Sequence, residues 1–314
     1  MQTRMLSKLE VSVVGLGCNN FGKRVDAGGT KAVVDSALDS GVTLFDTADM
    51  YSEGESERFL GAALRGRRDE AVIATKYGAQ MGDDPARSGA RPEYVRQACE
   101  DSLRRLGVDH IDLYQQHRPD DDVPIEDTLA ALNDLVDEGK VIEIGCSNFS
   151  AGQLDWAQRT ASDDRTAAFV SVQNHYSLLH REPESDGVLQ TCDQHDLGFL
   201  PYFPLASGML TGKYTRDEPP PEGTRLAGLP AERSRRYLNE RNFTIVEQLR
   251  TFAEERDHEL VELAIAWLAA QPVVASVIAG ATTPDQVRTN AAAARWHLSD
   301  DEVAEISRVA APQD

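Results

Sequence analysis

The sequence predicts an α/β fold of eight strand-then-helix units, a (β/α)8 or TIM barrel, on three observations. Short apolar runs alternate with amphipathic segments eight times along the 314 residues. The runs are continuous in Val, Ile and Leu, as parallel strands covered on both faces are. No Gly-x-Gly-x-x-Gly opens any helix, and "GLGCNNFG" (15–22) has other spacing. That argues against an open doubly wound sheet, the competing class.

The units follow in order. "VSVVGLG" (11–17) reads as the first strand, with a helix near 30–40. "VTLFDTA" (42–48) precedes helix 56–66, and "AVIATKYG" (71–78) precedes helix 91–107, where Pro92 suits a first turn. "IDLYQQH" (111–117) leads to helix 124–140, and "VIEIGCSNFS" (141–150) to helix 151–161. "FVSVQNHY" (169–176) leads to a helix near 187–195. "LGFLPYFPL" (197–205) is the seventh strand, followed by an irregular stretch and two helical segments over 240–271. "VASVIAG" (274–280) is the eighth strand, with helix 283–294. A last helix, 299–310, has a Ser299 N-cap and acids in its first turn. The whole of 1–314 reads as one barrel domain, with a C-terminal helix and tail over 299–314. The insertion at 213–239 contains three prolines in a row, 219–221, which stop a helix. A loop of that length in a compact domain points to function, here a cover over the site, or to disorder.

Composition limits the partners. A formal net charge of −20 repels phosphate backbones, so no nucleic-acid partner is expected. Six of the 32 basic residues are lysines, as a GC-rich genome or a salt-adapted surface would give. The longest apolar run, near 261–270, is interrupted by Glu262 and too short to span a bilayer, so no membrane partner is expected either. The N-terminal segment lacks the apolar core of a signal peptide, and a cytoplasmic location is expected. Cys18, Cys99, Cys146 and Cys192 are widely spaced, with neither a CxxC nor a zinc pattern, and read as free thiols. No apolar stripe or heptad announces an oligomer.

Catalytic groups of this fold sit at the C-terminal strand ends, and there the sequence turns polar. Strand two ends in Asp46, with Tyr51 beyond it and Asp49 between, the last without an obvious role except to cap or solvate the loop. Strand three ends in Lys76, strand four in His117, and strand five in Ser147 and Asn148. Strand six carries Gln173 and Asn174, and strand seven Tyr202. Any one of these could be an ordinary cap or satisfied core residue. Together, aimed at one rim, they are hard to explain by folding, because buried polar groups cost free energy.

The chemistry they offer is proton transfer. A phenol with a free pKa near ~10 becomes a better acid beside an ammonium such as Lys76. Asp46 would keep that buried lysine charged. His117 can orient a carbonyl oxygen or relay a proton. None of these groups can deliver a hydride, which points to a nicotinamide cofactor.

These residues resemble the aldo-keto reductase family, in its open branch of bacterial aldo/keto reductases and potassium-channel β-subunits. The likeness runs through "FDTADMYSEGESERFLGAAL", "IATK", "DLYQQHRPD", "GKVIEIGCSNFS", "VQNHYSLLHRE", "YFPLASGMLTGKY" and "SVIAGATTPDQVRTN". By that resemblance Tyr51 donates a proton, Lys76 and Asp46 tune it, and His117 places a small carbonyl substrate. Ser147, Asn148 and Gln173 would hold the nicotinamide carboxamide, and Tyr202 would stack on the ring. Pro204, Leu205, Ser207 and Gly208 would meet the pyrophosphate, with Lys213 adding charge. Gly280, Thr282, Gln286 and Asn290 would take the adenosine end.

The chain departs from many members in lacking a cation there; Arg288 lies one helical position off. The resemblance to the open branch favours NADP(H) and leaves NAD(H) open, with Arg225 or another arginine of 213–239 as a candidate counter-charge. Asn19, Asn20, Phe21, Met50, Tyr77 and the loop at 118–122 would wall the substrate pocket. A cofactor-sensing regulatory subunit of the same fold is the alternative function, against which His117 counts.

Overall fold

The computed structural model describes residues 1–311; Pro312, Gln313 and Asp314, the end of the expected tail, lie outside the described residues. The chain opens with an antiparallel hairpin, β1 (Thr3–Leu6) and β2 (Leu9–Ser12). Eight parallel strands follow. These are β3 (Val14–Gly17), β4 (Leu44–Asp46), β5 (Val72–Tyr77), β6 (Ile111–Gln116), β7 (Val141–Ser147), β8 (Phe169–Gln173), β9 (Gly198–Phe199) and β10 (Val277–Gly280). Their order, β10-β3-β4-β5-β6-β7-β8-β9, sets each strand beside its predecessor. The seam between β9 and β10 is closed by backbone. Ala275 N donates to Phe199 O at 2.9 Å and Ile278 N to Pro201 O at 3.0 Å. The expected seventh strand is cut to two residues because Pro201 and Pro204 carry no N–H for a ladder.

The apolar run at 11–17 is not one strand. Ser12 ends the hairpin and Val14 begins the barrel. At the break, Ser12 and Thr43 exchange hydrogen bonds, Ser12 N to Thr43 Oγ1 and Thr43 N to Ser12 Oγ, both 2.9 Å. The hairpin closes the end of the barrel where the strands start. Arg4 donates to the carbonyls of Ala269 and Val274, just before β10, and Ser7 donates to Glu143 near the start of β7. Leu6, Leu9 and Val11 pack on Leu44, Leu113, Leu200 and Ile278 inside the barrel.

Successive helices pack side by side around the outside. Caps fix their ends: Ser150 and Gln153 form a capping box, and so do Ser299 and Glu302. Glu55–Ala63 lies so close to Pro92–Leu106 that a Cβ on Gly61 would sit 1.9 Å from Leu106 O, which leaves room only for glycine. The 213–239 stretch is ordered, with a short helix at Ala231–Arg235. Leu226 is its buried anchor: Ser234 Oγ donates to Leu226 O at 2.7 Å and Leu226 N to Tyr214 Oη at 3.3 Å.

Candidate active site

Asp46 is the last residue of β4, and Lys76 pairs with Gln115 across β5 and β6. In a strand alternate residues share a face, so Leu113 and Gln115 point inward together, as do Ala74 and Lys76. The Lys76 ammonium donates to both Asp46 oxygens at 2.7 Å and to Thr47 O at 2.8 Å. Asp46 Oδ1 also accepts from Gln173 Nε2 at 2.8 Å and Gln115 Nε2 at 3.2 Å. Both charges are buried, a situation that requires such pairing. Burial pulls Lys76 down, but the Asp46 charge and hydrogen bond outweigh it and hold Lys76 above the usual lysine value.

Tyr51 stands over this pair, with the ammonium 5.3 Å from its ring centroid. Three left-handed residues follow it, Ser52, Glu53 and Gly54, at φ of 51°, 54° and 86°. Ser52 Oγ, donating to Phe21 O at 3.0 Å, pins that turn. Burial raises the phenol above its ordinary value, the Lys76 charge opposes that rise, and Asp46 adds to it. The ammonium thus acts as expected, but burial outweighs it and the phenol stays protonated. His117 stands edge-on to Tyr51 at 5.9 Å. Burial, then the charges of Lys76 and Arg118, hold its imidazole down to about 3, so the ring is neutral. Its Nδ1 is buried without a hydrogen-bond partner among the described residues.

Asp49 is not the solvated cap that the sequence suggested. Its N–H donates to Lys76 O at 3.0 Å, which carries the ladder past Asp46 and leaves the side chain 1 % exposed. Neither carboxylate oxygen has a partner among the described residues, and burial followed by the nearby Glu57 charge pushes the group up to about 7.

An open cleft of about 1240 Å³ runs from these residues across the rim. Asp46, Tyr51 and His117 line it, and so do all thirteen residues expected to hold a cofactor, while Lys76 lies beneath. At the nearer part the polar groups brace one another. Ser147 Oγ donates to Gln173 O at 2.7 Å, and Asn148 Nδ2 to His117 O and Ser147 Oγ at 3.0 Å each. Tyr202 Oη donates to Asn148 Oδ1 at 2.8 Å, and its ring stacks on His175 at 5.5 Å. Gln173 gives one amide proton to Asp46 and keeps Oε1 for other partners.

Farther along, Phe203, Ala206, Ser207 and Gly208 all have positive φ. A Cβ on Gly208 would lie 2.8 Å from Lys213 Cε, so glycine is what lets the lysine lie over this turn. At the far end, Thr283 caps Pro284–Ala293, and Gln286 Oε1 accepts from Thr282 N and Oγ1 at 2.8 and 3.1 Å. Arg288 is turned away, paired with Asp285.

Several expected wall residues are elsewhere. Tyr77 follows inward-pointing Lys76, so it points outward and stacks on Tyr114 at 4.8 Å. Phe21 is fully buried and Met50 does not face the cleft, while Asn19, Asn20 and Arg118 do. Arg225 is not at the far end; it stands over the Phe203 ring at 4.5 Å. The sequence reading missed Gln115, whose place two residues after Leu113 on an inward face was a usable signal. It also missed Arg24, which donates to Gly223 O at 2.5 Å and ties the 213–239 loop to the loop after β3.

The four cysteines are free and buried. Burial pushes their thiols up, Cys99 and Cys192 to about 12, which disfavours a thiolate nucleophile. Among the described residues no helix is long and apolar enough to cross a membrane, and no cluster of His, Cys, Asp or Glu could hold a metal.

A family model described as the aldo/keto reductase family matches residues 13–311. The chain belongs to the aldo/keto reductase family. Among the relatives of this aldo/keto reductase is a probable voltage-gated potassium channel subunit beta of Oryza sativa subsp. japonica. It is 33% identical over 290 residues, 90% of this chain and 88% of that protein. A protein of the same description from Arabidopsis thaliana is 33% identical, covering 92% of this chain and 90% of its own. An L-glyceraldehyde 3-phosphate reductase of Escherichia coli O157:H7 is 31% identical over 98% of this chain and 92% of its own. Family membership makes this chain an oxidoreductase of a group that uses NAD(P)H and small carbonyl compounds.

Proposed function

We propose that this protein reduces aldehydes or ketones to alcohols with NADP(H), reversibly, with Tyr51 as proton donor. The observation that carries the reading is the Lys76 ammonium, held charged by Asp46 and Thr47 directly under the Tyr51 ring. The cleft suits a dinucleotide in size and in its donors: a left-handed turn with Lys213 over it, amides and hydroxyls at both ends, and a helix N-terminus at Pro284. Ser147, Asn148, Gln173 and Tyr202 would hold the nicotinamide part. Leu205, Ser207, Gly208 and Lys213 would hold the diphosphate, and Gly280, Thr282, Gln286 and Asn290 the adenosine part. Bound there, a nicotinamide dinucleotide supplies the hydride.

The protein's own contribution is the proton. Tyr51, protonated at neutral pH, gives its proton to the carbonyl oxygen. Lys76 stabilises the phenolate left behind, and Asp46 keeps Lys76 charged without competing for the phenol. His117, neutral and with Nδ1 unpartnered, carries its proton on Nε2 and donates it as a hydrogen bond to the substrate oxygen.

NADP(H) over NAD(H) rests on the resemblance to the open branch of the family, and at the far end Gln286 Nε2 and the helix N-terminus at Pro284 can hydrogen-bond a 2′-phosphate. Fluorescence titration should show NADPH binding more tightly than NADH; equal affinities would remove the preference. A panel of carbonyl compounds with both cofactors tests the reaction. Negligible turnover on all of them, with a stable partner co-purifying from the native source, would favour a cofactor-sensing subunit instead, the reading that the potassium-channel relatives suggest.

A further inference from the structure

Tyr202 lines the cleft, yet no regular strand carries it. β9 ends at Phe199, and the chain turns left-handed at Phe203, with φ of 55°. Tyr202 N donates to Asn174 O at 3.1 Å, and Tyr202 O accepts from Tyr176 N at 3.4 Å. Those bonds set the main chain opposite His175 and leave the ring to its side-chain neighbours. The hydroxyl is tied to Asn148, and Phe203 meets the ring edge-on at 5.1 Å. Neither contact lies flat on it.

The His175 ring does. Its centroid is 5.5 Å from that of Tyr202 and the planes differ by 13°, an offset stack. His180 lies flat on His175 in turn, at 3.7 Å and 10°. The chain makes that second stack by doubling back. Ser177 and His180 exchange backbone hydrogen bonds, 3.0 Å each way, around the buried Leu178. Glu182 holds the outer ring, with Oε2 at 2.9 Å from His180 Nδ1. Neither histidine lines the cleft, so the column His180–His175–Tyr202 stands behind it.

Burial, then His180, holds His175 down to about 3. Burial lowers His180 as well, against the pull of Glu182 and Asp186. The two rings are therefore neutral and stack without charge repulsion. His175 Nε2 is buried with no partner among the described residues, so on that side the protein uses the face of the ring and not its nitrogen.

We propose that His175 is a positioning residue: its ring, backed by His180, sets the plane of Tyr202 and so the surface offered to a nicotinamide ring. The inference rests on the reductase reading, in which Tyr202 meets the nicotinamide part, and adds what orients Tyr202. A flat ring is the requirement, so phenylalanine should replace His175 and alanine should not.

The test compares the affinity for NADPH with that for 2′,5′-ADP, which lacks the nicotinamide, in wild type, His175→Ala and His175→Phe. Where NADH is the tighter cofactor, NADH and ADP make the pair. His175→Ala should bind NADPH roughly fivefold more weakly and 2′,5′-ADP as wild type does, while His175→Phe restores NADPH binding. Using the ratio within one variant removes any loss of folded protein. Unchanged NADPH binding in His175→Ala would overturn the proposal. So would equal weakening of both ligands, or a His175→Phe variant that behaves like His175→Ala.

Fluorine NMR of the ligand-free protein labelled with 3-fluorotyrosine gives a readout without cofactor. The Tyr202 line, assigned by its loss in Tyr202→Phe, should be narrow in wild type and His175→Phe and shifted or broadened in His175→Ala. If wild type binds neither nicotinamide cofactor, the reductase reading fails, and this line alone decides whether His175 orients Tyr202. A line unchanged in His175→Ala overturns it.

Discussion

The two ends of the barrel are built from the same strands and solve opposite problems. At the end where the strands start, Leu6, Leu9 and Val11 of the hairpin close the barrel on Leu44, Leu113 and Leu200. The charges of that end, such as Arg4 and Glu143, lie at its edge. At the end where the strands finish, the barrel holds a buried aspartate and lysine, two glutamines and a neutral histidine. Burying that set costs free energy that an apolar plug would not. One end therefore carries stability, and the other spends some of it on a fixed arrangement of charge.

Removing Lys76 should separate the two ends most sharply. Lys76→Met leaves Asp46 buried and unpaired, which costs about 3–5 kcal/mol in denaturant unfolding and should lower kcat/KM by at least ~10²-fold. Leu6→Ala, at the plug, should cost about 2–5 kcal/mol yet leave kcat/KM of the folded fraction close to wild type. A catalytic defect there would mean that the plug also shapes the rim.

Asp49 sharpens the comparison through pH. Its folded value, about 7, lies above the ordinary aspartate value, so its protonated form is favoured in the folded state. That contribution is present at low pH and lost as pH rises from about 4 through 7, on the order of 1.4 kcal/mol for each pH unit between those limits. Wild type should lose stability between about pH 4 and 7 relative to Asp49→Asn, whose side chain does not titrate. Parallel profiles would mean that Asp49 is charged and solvated in the folded state. The smallest effect is expected at Lys213: Lys213→Met should weaken NADPH binding roughly fivefold, about 1 kcal/mol, and less at high salt.

What the sequence reveals follows the same division. The rim is legible because Asp46, Lys76, His117 and Gln173 end apolar runs, where a polar residue contradicts burial and calls for a reason. The hairpin is not, since Val11 and Ser12 of the hairpin and Val14–Gly17 of the barrel are all buried and read as one continuous run. Aromatic character, followed in place of the strand's alternation, puts Tyr77 on the wrong side. Asp49 reads as a surface cap because its sequence neighbours do not reveal the backbone bond to Lys76 that draws it inward.

The central claim is that the proton leaves from Tyr51. Tyr51→Phe keeps the ring over Lys76 and removes only the hydroxyl. With NADPH and 4-nitrobenzaldehyde, kcat/KM should fall by about 10²–10⁴-fold, with NADPH still bound. Reduction at the wild-type rate by Tyr51→Phe would contradict the account.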